Sequence, residues 1–278
     1  MRALIVAGVV LVSAGGSFAL ARWAEGVEAP RVLAGAPLPR AGSARLLVAG
    51  SGSNVAITRS LTRSLPSVEV FDSVGSGGGV RALLDEVVDV AMISRPLQED
   101  EAAEGLVEVP YARTLLVWAV DEEARVRSTT LDELAELYAD GGYWRDGGGR
   151  AVPLLREIGD SGIAVVREHA PRVADAHDDS VRARRFEVLL TDRGMRRALK
   201  DVEDAFGLTD LGQLGSSRAL IVDGVEPTLE NIDRYPFVRT LSFAHREPAS
   251  IDVRRLIEFV KSEAGAQVLR EHGYEPIP

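Results

Sequence analysis

An α/β architecture in more than one part is what this chain predicts, and three observations predict it. Short apolar strands lead into Gly/Ser turns and then into helical patterns, and the unit recurs along the chain. The 278 residues exceed one ordinary domain, and 46% apolar content is ample for two modest cores. No fixed-period repeat or long low-complexity tract interrupts the pattern.

The chain opens with Arg2 and a run without charge from Ala3 to Ala21 that ends in the small-x-small sequence Ala19-Leu20-Ala21. Residues 1–21 therefore read as an export signal or as an uncleaved N-terminal anchor. Residues 22–43, with Pro30, Pro37 and Pro39, lack periodicity and read as a linker, so the fold begins near Ala44. Zero cysteines exclude a lipid-modified cysteine anchor and any disulfide.

Three turns carry the chemistry. Leu46–Ala49 is a short apolar strand followed by Gly50-Ser51-Gly52-Ser53-Asn54 and a helical pattern through Ile57, Leu61 and Leu65. Gly75-Ser76-Gly77-Gly78-Gly79 repeats the design ahead of Val80, Leu83, Leu84 and Val87. Residues without Cβ let the backbone approach a ligand closely, and the free N–H groups of a first helical turn favour an oxyanion. A plain flexible turn or a pair of helix caps is the alternative for each taken alone. The third turn, Arg156-Glu157-Ile158-Gly159-Asp160-Ser161-Gly162, follows the strand Val152–Leu155 and adds a guanidinium fork, which matches a tetrahedral oxyanion bidentately. An Arg156–Asp160 surface pair is the alternative there.

Elsewhere, Leu106–Val120 is a long apolar segment with Pro110 in its middle, and Phe237–Ala244 is a second such strand. Thr130 and Glu133 form a capping-box pattern before Leu131, Leu134, Ala135 and Tyr138. Helices are expected over Val181–Leu190 and Gly194–Phe206, a strand over Leu220–Val222, and one final helix through Val253, Leu256, Ile257, Val260, Ala264 and Val268. Trp144, in a glycine-rich loop, covers a helix or packs beneath the site.

At five collinear places the chain resembles the periplasmic phosphate-binding proteins of ABC importers and their relatives among type II solute-binding proteins. The places are Gly50–Asn54, Gly75–Val80 (family Gly-Ser-x-Gly-Gly-Val), Asp89–Leu97, Leu155–Gly162 (Arg-Glu-x-Gly-Ser-Gly) and Asp223–Asn231 (Asn-Gly-Val-x-Pro-Thr-x-Glu-Asn). The resemblance implies a two-lobed type II periplasmic binding protein fold with two crossing hinge strands. Lobe 1 would hold residues 44–112 and 241–278, and lobe 2 residues 113–240. It also implies anion contacts from Ser53, Asn54, Ser76, Gly77, Gly78, Ser94, Arg95, Arg156, Ser161 and Gly162, with Asp160 as an alternative to Ser161. Two departures stand out. Ser94 occupies a place where the best-known phosphate receptors carry an acidic proton acceptor, and the Arg156-to-Ser161 spacing is one residue longer than the common form.

The expected function is capture of a tetrahedral oxyanion, most of all phosphate, by an exported monomer serving an ABC permease and ATPase. Another oxyanion, a small acidic solute, or a sensing role without transport stays open. The net charge of −10, with Lys200 and Lys261 the only lysines among 32 basic residues, argues against nucleic acid and anionic membranes. No phosphate loop, GxGxxG or GxSxG motif is found, so no enzyme is expected. His169, His177, His245 and His272 lack metal spacing, so neither a metal nor a cofactor is expected.

Overall fold

The computed structural model describes residues 45 to 278 except Pro66, so the expected leader over 1–21 and linker over 22–43 lie outside the described residues. Strand β1 (Leu46–Gly50), helix α1 (Gly52–Leu61), β2 (Val68–Val70), α2 (Gly75–Leu84), β3 (Val90–Ile93) and α3 (Glu99–Ala103) precede the long strand β4 (Leu106–Asp121). Then come β5 (Ser128–Thr129), α4 (Leu131–Asp140), β6 (Gly142–Tyr143), β7 (Arg150–Arg156), α5 (Ser161–His169) and α6 (Pro171–Ala183). They are followed by β8 (Val188–Leu189), α7 (Asp192–Asp201), β9 (Ala205–Asp210), β10 (Ser217–Ala219) and β11 (Ile221–Val222). The chain closes with β12 (Val238–Arg246), α8 (Ile251–Val260), α9 (Glu263–Glu271) and β13 (Glu275–Pro276).

One sheet runs β2-β1-β3-β12-β4-β9-β7-β6. Its two flanks are parallel, β2-β1-β3 and β9-β7, and the antiparallel pair β12–β4 joins them. Buried apolar residues divide accordingly. One set comes from 46–112 and 241–274 and another from 115–237, so β4 and β12 pass between two cores. This is the two-lobed α/β fold the sequence predicts. The β12–β4 register shifts between Leu241, opposite Ala112, and Ser242, opposite Pro110. The extra residue, Tyr111, makes a bulge beside a proline that has no N–H for a regular ladder.

Three expected helices differ. The helix expected over Val181–Leu190 stops at Ala183, because Arg184 takes a left-handed backbone (φ 53), and Val188–Leu189 pairs with β7 instead. The helix expected over Gly194–Phe206 starts at Asp192 behind a Thr191 cap and ends at Asp201. Phe206 lies in β9, wholly buried between β4 and β7, where sheet pairing outweighs local helical spacing. The single final helix is two. The Ser262 hydroxyl accepts from Gly265 N–H at 3.2 Å and starts α9, and Gly265 packs so closely on the Phe259 and Val260 carbonyls that a Cβ would overlap them. Thr130 caps α4, but Glu133 takes the Thr129 hydroxyl and the Arg145 N–H rather than closing the box. Trp144 is buried edge-on against Phe206, 5.1 Å between ring centres, as a core residue.

Candidate functional site: a hydroxyl and arginine cluster

Gly50 begins the site. Its φ of 147° and the Met92 carbonyl, which any Cβ would overlap, require glycine, and they let the chain turn from β1 into α1. Ser51 N–H then bonds the Met92 carbonyl at 2.8 Å, and the Ser51 hydroxyl meets the Ser94 hydroxyl at 2.8 Å. Ser94 follows β3 and is the hub. Its N–H donates to Ser76 Oγ (3.2 Å), and its own Oγ lies 3.4 Å from Ser76 Oγ and 2.9 Å from Ser161 Oγ. Four hydroxyls, from the first turns of α2 and α5 and the ends of β1 and β3, thus meet at the starts of α1, α2 and α5.

Arg156 ends β7. Its Nε and Nη2 donate to Asp160 Oδ2 at 3.1 and 2.9 Å, and Nη2 lies 3.7 Å from Asp192 Oδ1. Behind it, the Arg156 N–H donates to His177 Nε2 at 3.0 Å, and His177 Nδ1 faces Asp178 Oδ1 at 3.0 Å. Burial pushes the His177 pKa down against the pull of Asp178. The imidazole is therefore neutral at pH 7, with Nδ1 donating to Asp178 and Nε2 accepting. Asp160 also caps α5 by accepting from Gly162 N–H at 2.8 Å. Burial alone would raise its carboxyl, but the Arg156 and Arg239 charges hold it below the usual carboxylate range.

Arg239 enters from β12. Its Nη1 donates to Ser53 Oγ, and its Nε lies 3.4 Å from Asp210 Oδ1 at the end of β9. Gly162 has no room for a Cβ, which would overlap Arg239 Nη2. Asp192, the first residue of α7, sets its carboxylate against Gly52, where a Cβ would likewise overlap it.

Of the residues the sequence singled out, Ser76, Ser94 and Ser161 meet directly, and Ser53 and Gly162 contact Arg239. Gly77 and Gly78 lie exposed in the first turn of α2. Asn54 is different: its side chain is buried and donates to the Ile93 carbonyl and the Tyr111 hydroxyl, inside the core. Arg95 is turned to a bidentate pair with Glu101, at 2.6 and 2.7 Å, so its fork is taken. At the third turn the Ser161 hydroxyl faces Ser94, while Asp160 serves Arg156 and the helix cap. Sequence reasoning missed Ser51, Asp192, Asp210 and Arg239. A signal existed for Arg239, a charge between Phe237 and Leu241 on the inward face of a strand. Asp192 and Asp210 look like ordinary strand and helix ends. Among the described residues no group of three or more His, Cys, Asp or Glu could hold a metal ion, and no helix is long and apolar enough to cross a membrane.

These geometries agree with the kinship of the chain. Residues 39–264 match the family model for the PBP superfamily domain, and the chain belongs to that periplasmic binding protein superfamily. It is 21% identical to the phosphate-binding protein PstS of Borreliella burgdorferi, over 73% of this chain and 78% of that protein. It is 25% identical to protein SphX of Synechococcus elongatus, over 87% of this chain and 81% of that one. Its fold is similar to a Clostridium perfringens structure solved with bound phosphate. The TM-score is 0.73 at 21% identity, covering 84% of this chain and all of the other.

Proposed function

We propose that this chain is an exported solute-binding protein that captures a tetrahedral oxyanion, phosphate foremost, between lobe 1 (44–112 and 241–278) and lobe 2 (113–240). In this reading it acts as a monomer outside the cytoplasmic membrane, released or held by its N-terminal segment. It passes its ligand to an ABC permease and ATPase and performs no covalent chemistry. The observation that carries it is the meeting of Ser51, Ser76, Ser94 and Ser161 at the starts of three helices, beside the guanidiniums of Arg156 and Arg239. Hydroxyls can donate to an oxyanion, helix N-termini favour negative charge, and a buried guanidinium keeps its charge at any working pH. The kinship with a phosphate-binding protein supports phosphate as the ligand.

Calorimetric titration with phosphate, sulfate, molybdate and small carboxylates tests the proposal. Phosphate should bind most tightly. Binding of carboxylates alone, or of none of the four, would overturn it.

A further inference from the structure

Asn54 stands in the first turn of α1 beside Ser53, yet its side chain goes into the core of lobe 1. It is 0% exposed, and its Nδ2 donates twice, to the Ile93 carbonyl at 3.3 Å and to the Tyr111 hydroxyl at 3.0 Å. The direction of the amide follows from its partners. A carbonyl can only accept, so the NH2 end must face Ile93, and Oδ1 makes no hydrogen bond among the described residues. Leaving a buried oxygen unpaired is costly, so the two donated bonds are what hold the group there.

Each partner belongs to a different part of the construction. Ile93 ends β3 and is followed by Ser94, whose hydroxyl meets those of Ser51, Ser76 and Ser161. The Asn54 N–H also donates to the Ser51 carbonyl at 3.1 Å, so one residue fastens the turn from Ser51 to Ser53 onto the strand end that carries Ser94. Tyr111 is the extra residue of the β4 bulge. A bulged residue has no place in the regular ladder, and its position depends on other holds. Its ring stacks on Phe243 of β12 with 4.5 Å between ring centres, and its carbonyl accepts from Ile277 N–H at 3.0 Å. Both strands that pass between the two cores therefore grip Tyr111, and Tyr111 grips Asn54.

We infer that Asn54 is a positioning residue for the anion site and not a contact to the anion: its amide bolts the start of α1 and the end of β3 to the Tyr111 bulge, so that a hydroxyl inside the core sets where Ser51, Ser53 and Ser94 stand. Groups that receive a ligand must be held to within about 0.5 Å by the bonds behind them. The inference rests on the oxyanion reading above.

Tyr111→Phe removes one oxygen and keeps the ring that stacks on Phe243. Titration calorimetry with inorganic phosphate should show binding weakened about fivefold in Tyr111→Phe and about tenfold or more in Asn54→Ala, with the double variant no weaker than Asn54→Ala alone. Leu256→Ala, in the same apolar core, is the control: the cavity should lower its urea midpoint and leave its phosphate affinity unchanged. If Asn54→Ala does not fold, Tyr111→Phe set against Leu256→Ala carries the test. Three results overturn the inference and leave the oxyanion reading standing. They are phosphate affinity unchanged in Tyr111→Phe, effects of the two substitutions that simply add, and a Leu256→Ala protein that loses affinity as Tyr111→Phe does. No binding of phosphate, sulfate or molybdate by the wild type overturns both.

Discussion

Arg156 and Arg239 reach one polar cluster from different strands, and the carboxylates beside them decide what each substitution does. Arg156→Ala removes a charge-assisted donor and takes from Asp160 and Asp192 the cation they share. Phosphate binding should weaken by about 1.5–3 kcal/mol, roughly tenfold or more. Unchanged affinity in a calorimetric titration would return Arg156 to a structural pair with Asp160. Ser94→Asp puts a further carboxylate among the hydroxyls of Ser51, Ser76 and Ser161. Against Ser161, whose neighbour in sequence is Asp160, the added charge should weaken phosphate binding, although an acid at this place serves the best-known phosphate receptors. Tighter binding in that variant would show that the added carboxylate accepts from the anion rather than repelling it. His177 acts at a further remove. Its folded pKa lies below the ordinary 6.5, so the unfolded chain binds the proton more readily. The stability it contributes is present above pH 6.5 and is lost as pH falls below that value. The urea midpoint should drop between about pH 7 and about pH 5, and less so in His177→Gln, whose amide oxygen can still accept from the Arg156 N–H. Equal slopes in the two proteins would assign the loss to other groups.

Helix α2 distinguishes glycines that serve packing from those that serve approach. A Cβ on Gly79 would lie 2.6 Å from the Gly50 Cα and 2.9 Å from the Ala49 carbonyl, both backbone atoms of β1 that cannot turn aside. A Cβ on Gly77 would meet only the end of Arg95, at 4.0 Å. Gly79→Ala should therefore destabilise the protein by about 1–3 kcal/mol, and Gly77→Ala should leave its stability nearly unchanged. Denaturant melts of the two variants check this, and equal midpoints would mean that α2 can shift along β1. The glycine-rich run is thus two devices in sequence, an exposed first turn and a helix seat.

The chain as a whole is arranged so that β4 and β12 run between two cores while the Ser94 and Ser161 hydroxyls, from opposite sides of that boundary, stand 2.9 Å apart. Two antiparallel strands are a natural hinge, since small dihedral changes in each swing the bodies they join. Small-angle scattering should therefore show a larger radius of gyration in phosphate-free buffer than with saturating phosphate. Identical curves in the two conditions would argue for a rigid pair of lobes.

Much of this protein was open to reading along the chain. Glycine has no Cβ, so Gly50 and the run from Gly75 announce sharp turns wherever they fall, and the apolar strands ahead of them announce parallel strand ends. Ser76 and Arg156 follow, because helix starts and strand ends are local properties, and the family resemblance adds Ser94 and Ser161. The tertiary structure alone decided the rest. Phe206 is a strand residue because β4 and β7 flank it, and Val188–Leu189 is a strand because β7 offers it an edge. Asn54 and Arg95 sit in the right turns, yet their side chains go to Tyr111 and Glu101, partners 57 and 6 residues away. Asp192, Asp210 and Arg239 come from three separate elements, and nothing local to any of them signals the others. Their joint charge exists only once the sheet has brought the strand ends together, because Coulomb energy depends on distance in space and not along the chain.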